Sequence, residues 1–276
     1  MNIFQALILG VVQGITEFLP VSSSGHLVLL QKIFGIDEPT LLFDTLVHVG
    51  TLVAVCAVLW KDIWAILRNL FQPLTLFLII ATIPAVIAAL VFKKQIEGAF
   101  VSASFLGFSF LITSGLLCFS EFISRSVGKS HGSLWKNRTI TDMGENNMTW
   151  LDALIIGLFQ AVALVPGISR SGATLSGGLF RGLNRNFVVR FSFLLSIPAI
   201  LGALVFQIRD LGEAGTSGIG IVPLLAGTVS AAIVGFFSIR LMLKIVREHT
   251  LLGFAVYTGV LGLLVLVDQF ATHLFF

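Results

Sequence analysis

Two apolar runs in this 276-residue chain stop in a breaker and a knot of hydroxyl groups instead of crossing to a loop. Residues 2–19 run into LPVSSSGH, and residues 151–165 run into VPGISRSGAT. Short apolar runs, 27–34 and 173–183, follow each patch. A helix needs about 20 apolar residues to cross a bilayer, and no single arm has them. Broken backbone at membrane depth survives only where protein covers it or where it lines a cavity. The pattern therefore predicts two re-entrant helical hairpins, 2–35 and 151–184. Six further segments are long enough to span, near 41–60, 74–92, 103–122, 188–207, 221–240 and 251–272. The fold class expected is an all-α integral membrane protein of six transmembrane helices and two re-entrant hairpins.

Composition agrees: 56% of residues are hydrophobic and 11% charged, against about 25% charged in soluble domains. The lipid bilayer is the solvent. A net charge of +3 is too small for a nucleic-acid partner. The first basic residue is Lys32, so the apolar start lacks the basic leader of a signal peptide and reads as mature fold. Cys56 and Cys118 lie in apolar runs and read as small buried hydrophobes.

The two halves register at a shift of 147 residues. It lays Gly10, Gln13, Ser22, Ser24 and Gly25 over Gly157, Gln160, Ser169, Ser171 and Gly172, and it carries spans 41, 74 and 103 onto 188, 221 and 250. Domains of 1–122 and 151–276 follow, joined by a linker over 123–150 whose His131 reads as solvated surface. Three spans per half are an odd number, so the second half enters from the opposite side, an inverted-topology repeat. Lys32, Lys93, Lys94 and Arg209 then lie on the side of the N-terminus, and twelve of the seventeen basic residues on the other. The positive-inside rule makes that second side cytoplasmic and puts both termini outside, with a site that opens to the outer face.

The breaks carry the chemistry. Pro20 ends the arm bearing Gln13 and Glu17, which share a helix face at a spacing of four. Ser22, Ser23 and Ser24 suit the N-cap of the next helix, Gly25 removes bulk where a ligand approaches, and His26 falls in the first turn. In the second break, Pro166 and Gly167 stop the arm, and Ser169 and Ser171 flank Arg170 ahead of Gly172. Helix starts bind phosphate through free N–H groups and partial positive charge, and Arg170 adds a bidentate fork. Two such starts facing each other make an anion trap. Gly10 and Gly14 form a GxxxG pair for close packing. Asp44 and His48, one turn apart, either line the mouth of the site or only reach for the surface. A transporter or flippase of an anionic lipid needs the same trap but no nucleophile, so the Ser–His–Glu cluster favours hydrolysis.

QGITEFLPVSSSGH at 13–26 and PGISRSGAT at 166–174 closely resemble the undecaprenyl-diphosphate phosphatase family linked to bacitracin resistance, and the resemblance covers essentially the whole length. It implies an enzyme of the bacterial cytoplasmic (inner) membrane. That enzyme removes the terminal phosphate of a polyprenyl diphosphate and so recycles the lipid carrier of cell-wall synthesis. It also implies a divalent metal, Mg²⁺ or Ca²⁺. By resemblance Gln13 and Glu17 hold the acid and metal positions. Ser22, Ser23 and His26 match the second block, and Ser169, Arg170, Ser171 and Thr174 the third. The catalytic set expected is Glu17, Ser23, His26 and Arg170, and the diphosphate-binding set Ser22, Ser24, Gly25, Ser169, Arg170, Ser171 and Thr174. Many members carry Glu where this chain has Gln13, which can ligate through its carbonyl but cannot act as a base. His26 serves as general base on water or Ser23, or as nucleophile itself. A homodimer is compatible with this reading.

Overall fold

A computed structural model of the chain describes residues 1–36, 40–129, 148–214 and 219–276, and these hold helices and turns but no strand. The helices are α1 (Ile3–Thr16), α2 (Ser23–Ile33), α3 (Leu41–Val58), α4 (Trp60–Arg68), α5 (Pro73–Val91), α6 (Lys93–Ser102), α7 (Leu106–Lys129), α8 (Trp150–Val162), α9 (Arg170–Phe180), α10 (Arg185–Ala214), α11 (Ile221–Glu248) and α12 (Leu252–Val267). A π-helical turn, Asp268–Thr272, follows α12.

Six of these, α3, α5, α7, α10, α11 and α12 with its π-helical extension, are long and apolar enough to cross a membrane. Their outward faces are largely apolar. On α5, Ile79, Ile83, Ile87 and Leu90 form an exposed stripe at helical spacing, a patch that water would not tolerate. This inversion corrects the reading of the cysteines. Cys56 and Cys118 are exposed, on spans α3 and α7, because an apolar residue in a span has lipid as an alternative to the protein interior. Within the stretch expected as a linker, 123–150, both ends carry ordered elements. Helix α7 runs on to Lys129, Met148 is buried in the core, and Thr149 caps α8; His131 lies outside the described residues. Two short helices, α4 and α6, were not expected.

The two short apolar helices start alike. Asn2 accepts from the Gln5 amide while Gln5 reaches back to the Asn2 amide, and Thr149 and Asp152 repeat that capping box at α8. Each box satisfies two orphan donors of the first turn. Arg181, at the end of α9, holds Asp152 at 2.6 Å and ties the outgoing arm to the incoming one.

Each short helix packs against a span of the other half, α1 on α11 and α8 on α5. Small residues allow both approaches. A Cβ on Gly10 would meet the Gly227 carbonyl oxygen at 2.3 Å, and one on Gly14 the Ala231 oxygen at 2.8 Å. On the other side a Cβ on Gly157 would meet the Ala81 oxygen at 2.5 Å. Gly227, Ala231 and Gly235 repeat every four residues along α11, so one small-residue stripe receives α1. The largest core cluster among the described residues includes Phe18, which meets Phe193 edge to face at 5.4 Å. Phe18 follows Glu17 directly in the chain, so this cluster adjoins the polar region.

Candidate active site

The two broken segments meet at one place, and their backbones brace each other by matching contacts. Ser22 Oγ accepts from the Gly25 amide at 3.3 Å, and Ser169 Oγ accepts from the Gly172 amide at 3.0 Å. Each N-cap satisfies a donor that α2 or α9 leaves open. Ser24 Oγ accepts from the Gly167 amide across the gap, at 3.4 Å, and Ser171 Oγ donates to the Leu19 carbonyl at 3.1 Å. A Cβ on Gly25 would stand 3.1 Å from Gly167 Cα, and one on Gly172 would stand 3.4 Å from Pro20 Cβ. The two caps and the two glycine approaches map onto each other at the 147-residue shift, while Ser24 and Ser171, also equivalent, each bind the opposite break at a neighbouring backbone group. Thr113 on α7 adds a support from outside, accepting from the Ser169 amide at 3.0 Å.

This cage explains the glycines and small hydroxyls. The open side of Gly25 is filled by the Phe110 ring, 2.7 Å from where a Cβ would sit, so its smallness serves packing. Gly167 has φ of +88° and Ser22 of +73°. Glycine adopts such angles freely; serine there is strained, and its cap to Gly25 holds it.

The reactive groups break the symmetry. At the positions equivalent to Glu17, Ser23 and His26 the second half carries Leu164, Arg170 and Ala173. The first break therefore supplies acid–base groups and the second a cation. Glu17, 6% exposed, gathers them. Its Oε1 accepts from Arg170 Nη2 at 2.6 Å. Its Oε2 accepts from Ser23 Oγ at 2.6 Å and from Gln13 Nε2 at 3.0 Å. Arg170 also donates to the Ser192 carbonyl at 3.2 Å, and Thr174 shares a 2.6 Å hydrogen bond with the Ser192 hydroxyl. The guanidinium is thus aimed by α10.

His26 stands to one side, 7% exposed. Its Nδ1 lies 2.7 Å from the Ser22 carbonyl oxygen. A carbonyl only accepts, so Nδ1 carries the proton and the Nε2 lone pair is free in the neutral ring. That nitrogen lies 2.7 Å from the Tyr257 hydroxyl on α12. Sequence reasoning missed Tyr257, although it is the only tyrosine in the chain. It also missed Ser192 and Thr113, which carry no motif of their own.

Asp44 and His48 part company. Asp44 accepts from Gln31 and Thr40, both at 2.8 Å, and fastens α2 to α3. His48 donates from Nδ1 to the Asp44 carbonyl at 2.6 Å and turns Nε2 toward Glu17 Oε2 at 3.7 Å. It belongs to the rim of the site. Gln13 is fully buried, and its Oε1 has no hydrogen-bond partner. An oxygen held in that state beside a carboxylate suits a hard cation. No group of three or more His, Cys, Asp or Glu side chains placed to hold a metal occurs among the described residues, so a cation here would take its remaining ligands from phosphate and water. The amide of Gln160, at the equivalent place in the second half, also lacks partners, with Leu164 where Glu17 stands in the first.

The family described as "Bacitracin resistance protein BacA" matches residues 6–264. A protein named undecaprenyl-diphosphatase from Carboxydothermus hydrogenoformans is 47% identical over 273 residues, covering 98% of this chain and 99% of that protein. One of the same name from Alkaliphilus metalliredigens is 41% identical, with 97% and 98% covered. Another from Methanosphaera stadtmanae is 38% identical, with 97% and 98% covered.

Proposed function

This chain belongs to the bacitracin resistance protein BacA family, and we infer that it is a membrane phosphatase that hydrolyses undecaprenyl diphosphate to undecaprenyl phosphate and phosphate. Its products return the lipid carrier to cell-wall synthesis, and the same activity accounts for bacitracin resistance. The relatives carry the hydrolase name, and the transporter reading is not favoured. The observation that carries the chemistry is the Glu17 carboxylate, which holds the Ser23 hydroxyl on one oxygen and the Arg170 guanidinium on the other, both at 2.6 Å. A nucleophile, a base and a phosphate-binding cation share one point.

The mechanism proposed uses those groups in sequence. The diphosphate is proposed to dock beside the starts of α2 and α9, against Glu17, Ser23 and Arg170, with Ser22, Ser24, Ser169, Ser171 and Thr174 holding the two breaks that present those groups. Arg170 transfers from Glu17 to the terminal phosphate and steadies the charge that spreads over its oxygens in the transition state. Ser23 Oγ attacks the terminal phosphorus as its proton passes to Glu17. The bridging P–O bond breaks, and its electron pair leaves with undecaprenyl phosphate. Water then cleaves the phosphoserine, with His26 as base, and Glu17 returns its proton to Ser23. Glu17 and Gln13 Oε1 are the ligands proposed for Mg²⁺ or Ca²⁺, which would neutralise diphosphate charge.

We place the two halves in an inverted repeat, each with a re-entrant hairpin, and both termini outside with the site open to the outer face. The matching contacts at the 147-residue shift and the distribution of basic residues support this reading. The deciding experiment measures phosphate release by purified protein in detergent from C15 and C55 diphosphates, with and without chelator. Hydrolysis in detergent needs one compartment and transport needs two. Absence of phosphate release under all conditions would sink the assignment.

A further inference from the structure

The hydrogen bond between His26 and Tyr257 joins residues 231 positions apart, and the mechanism above leaves it unused. The ring of His26 is fixed on three sides. Ser22 holds Nδ1, Phe110 meets the ring edge to face at 5.4 Å, and Tyr257 lies nearly parallel to it, 10° off, at 5.7 Å. The one nitrogen able to take a proton points at the Tyr257 hydroxyl, 2.7 Å away. His26 is 7% exposed, and Tyr257, on the half-exposed face of α12 beside Val256 and Val260, closes the remaining side of Nε2, so a proton reaching that nitrogen passes the phenol.

We propose that Tyr257 is the proton relay of His26. The proposal rests on the phosphatase reading and on His26 as its base. In the hydrolytic step, water gives its proton to the phenol oxygen as the phenol proton moves to Nε2. Water becomes the hydroxide that attacks phosphorus, His26 becomes imidazolium, and Tyr257 ends as it began. The reverse shift clears the imidazolium after phosphate departs. The same hydroxyl keeps the ring in the tautomer that has Nδ1 bound to Ser22. A purely structural tyrosine would pack as well with its hydroxyl removed.

Because the chain has one tyrosine, global replacement by mono-, di- and trifluorotyrosine alters Tyr257 alone and makes its phenol progressively more acidic. The relay predicts that kcat changes steadily along the series, by about threefold or more, while KM stays within about twofold. Tyr257→Phe keeps the stacked ring and removes the hydroxyl; its kcat should fall about tenfold with KM little changed. His26→Gln sets the reference. If wild-type protein releases phosphate and His26→Gln is as active, the assignment of His26 falls. If His26→Gln is impaired at least tenfold while Tyr257→Phe and the fluorinated series match wild type in kcat, the relay falls and the phosphatase reading stands.

Discussion

At the scale of single residues, the Glu17–Arg170 pair joins the two breaks at 2.6 Å, and its structural role and its proposed catalytic role separate on mutation. Arg170→Ala leaves a buried carboxylate without its counter-charge, which costs about 3–5 kcal/mol when a buried pair is broken this way. It should lower the melting temperature in detergent and reduce kcat at least about a hundredfold. Arg170→Lys restores the charge without the fork, so it should recover much of the stability but little of the rate. Full activity in Arg170→Ala would remove the phosphate clamp. Ser23→Ala should abolish turnover and leave thermal stability close to wild type, since Ser23 supplies one of several donors to Glu17. Rapid-quench labelling should trap phosphate on Ser23; if no phosphoenzyme forms, water attacks directly. Much of this was readable in the letters, because capping and helix-face chemistry are local. Ser22 and Ser169 sit beside the amides they cap, and Gln13 lies one turn from Glu17. Tyr257 was not readable, since its partner is fixed by the packing of α12 and no nearby residue signals it.

At the scale of helices, packing is governed by where small residues allow backbones to touch. Gly10→Val and Gly157→Val each force a branched side chain into a neighbouring carbonyl, a misfit worth about 1–3 kcal/mol or more. Both should lower the melting temperature and the yield of folded protein. Gly115→Ala is the control: it lies in α7 with nothing within 4 Å of a new Cβ, and it should hold or raise stability. Equal losses in all three would refute close approach as the reason for Gly10 and Gly157. The six spans were legible because length and hydropathy mark them. Helices α4 and α6 were not, since a short amphipathic helix between spans resembles a polar loop in the sequence. Burial within a span was also hidden, as Cys56 shows, because lipid and protein interior accept the same side chains.

At the scale of the whole molecule, the halves do not fold side by side. Helix α1 seats on α11 and α8 on α5, while the breaks hold each other through Ser24 and Ser171. A fragment of residues 1–129 expressed alone should therefore be degraded, and its co-expression with 130–276 should restore both fragments and phosphate release. A stable first fragment would show that the halves are independent. Reporter fusions should find both termini outside; activity of a cytoplasmic reporter at either end overturns the orientation. The interlocking also sets a clock on biogenesis. At about 5–20 residues per second, the ribosome needs on the order of ten to forty seconds to deliver α11 after α1 has emerged. Throughout that interval the glycine face of α1 has no mate. Maturation of the nascent chain is thus gated by its last third, and a premature stop anywhere before α11 leaves even the earliest helix unfinished.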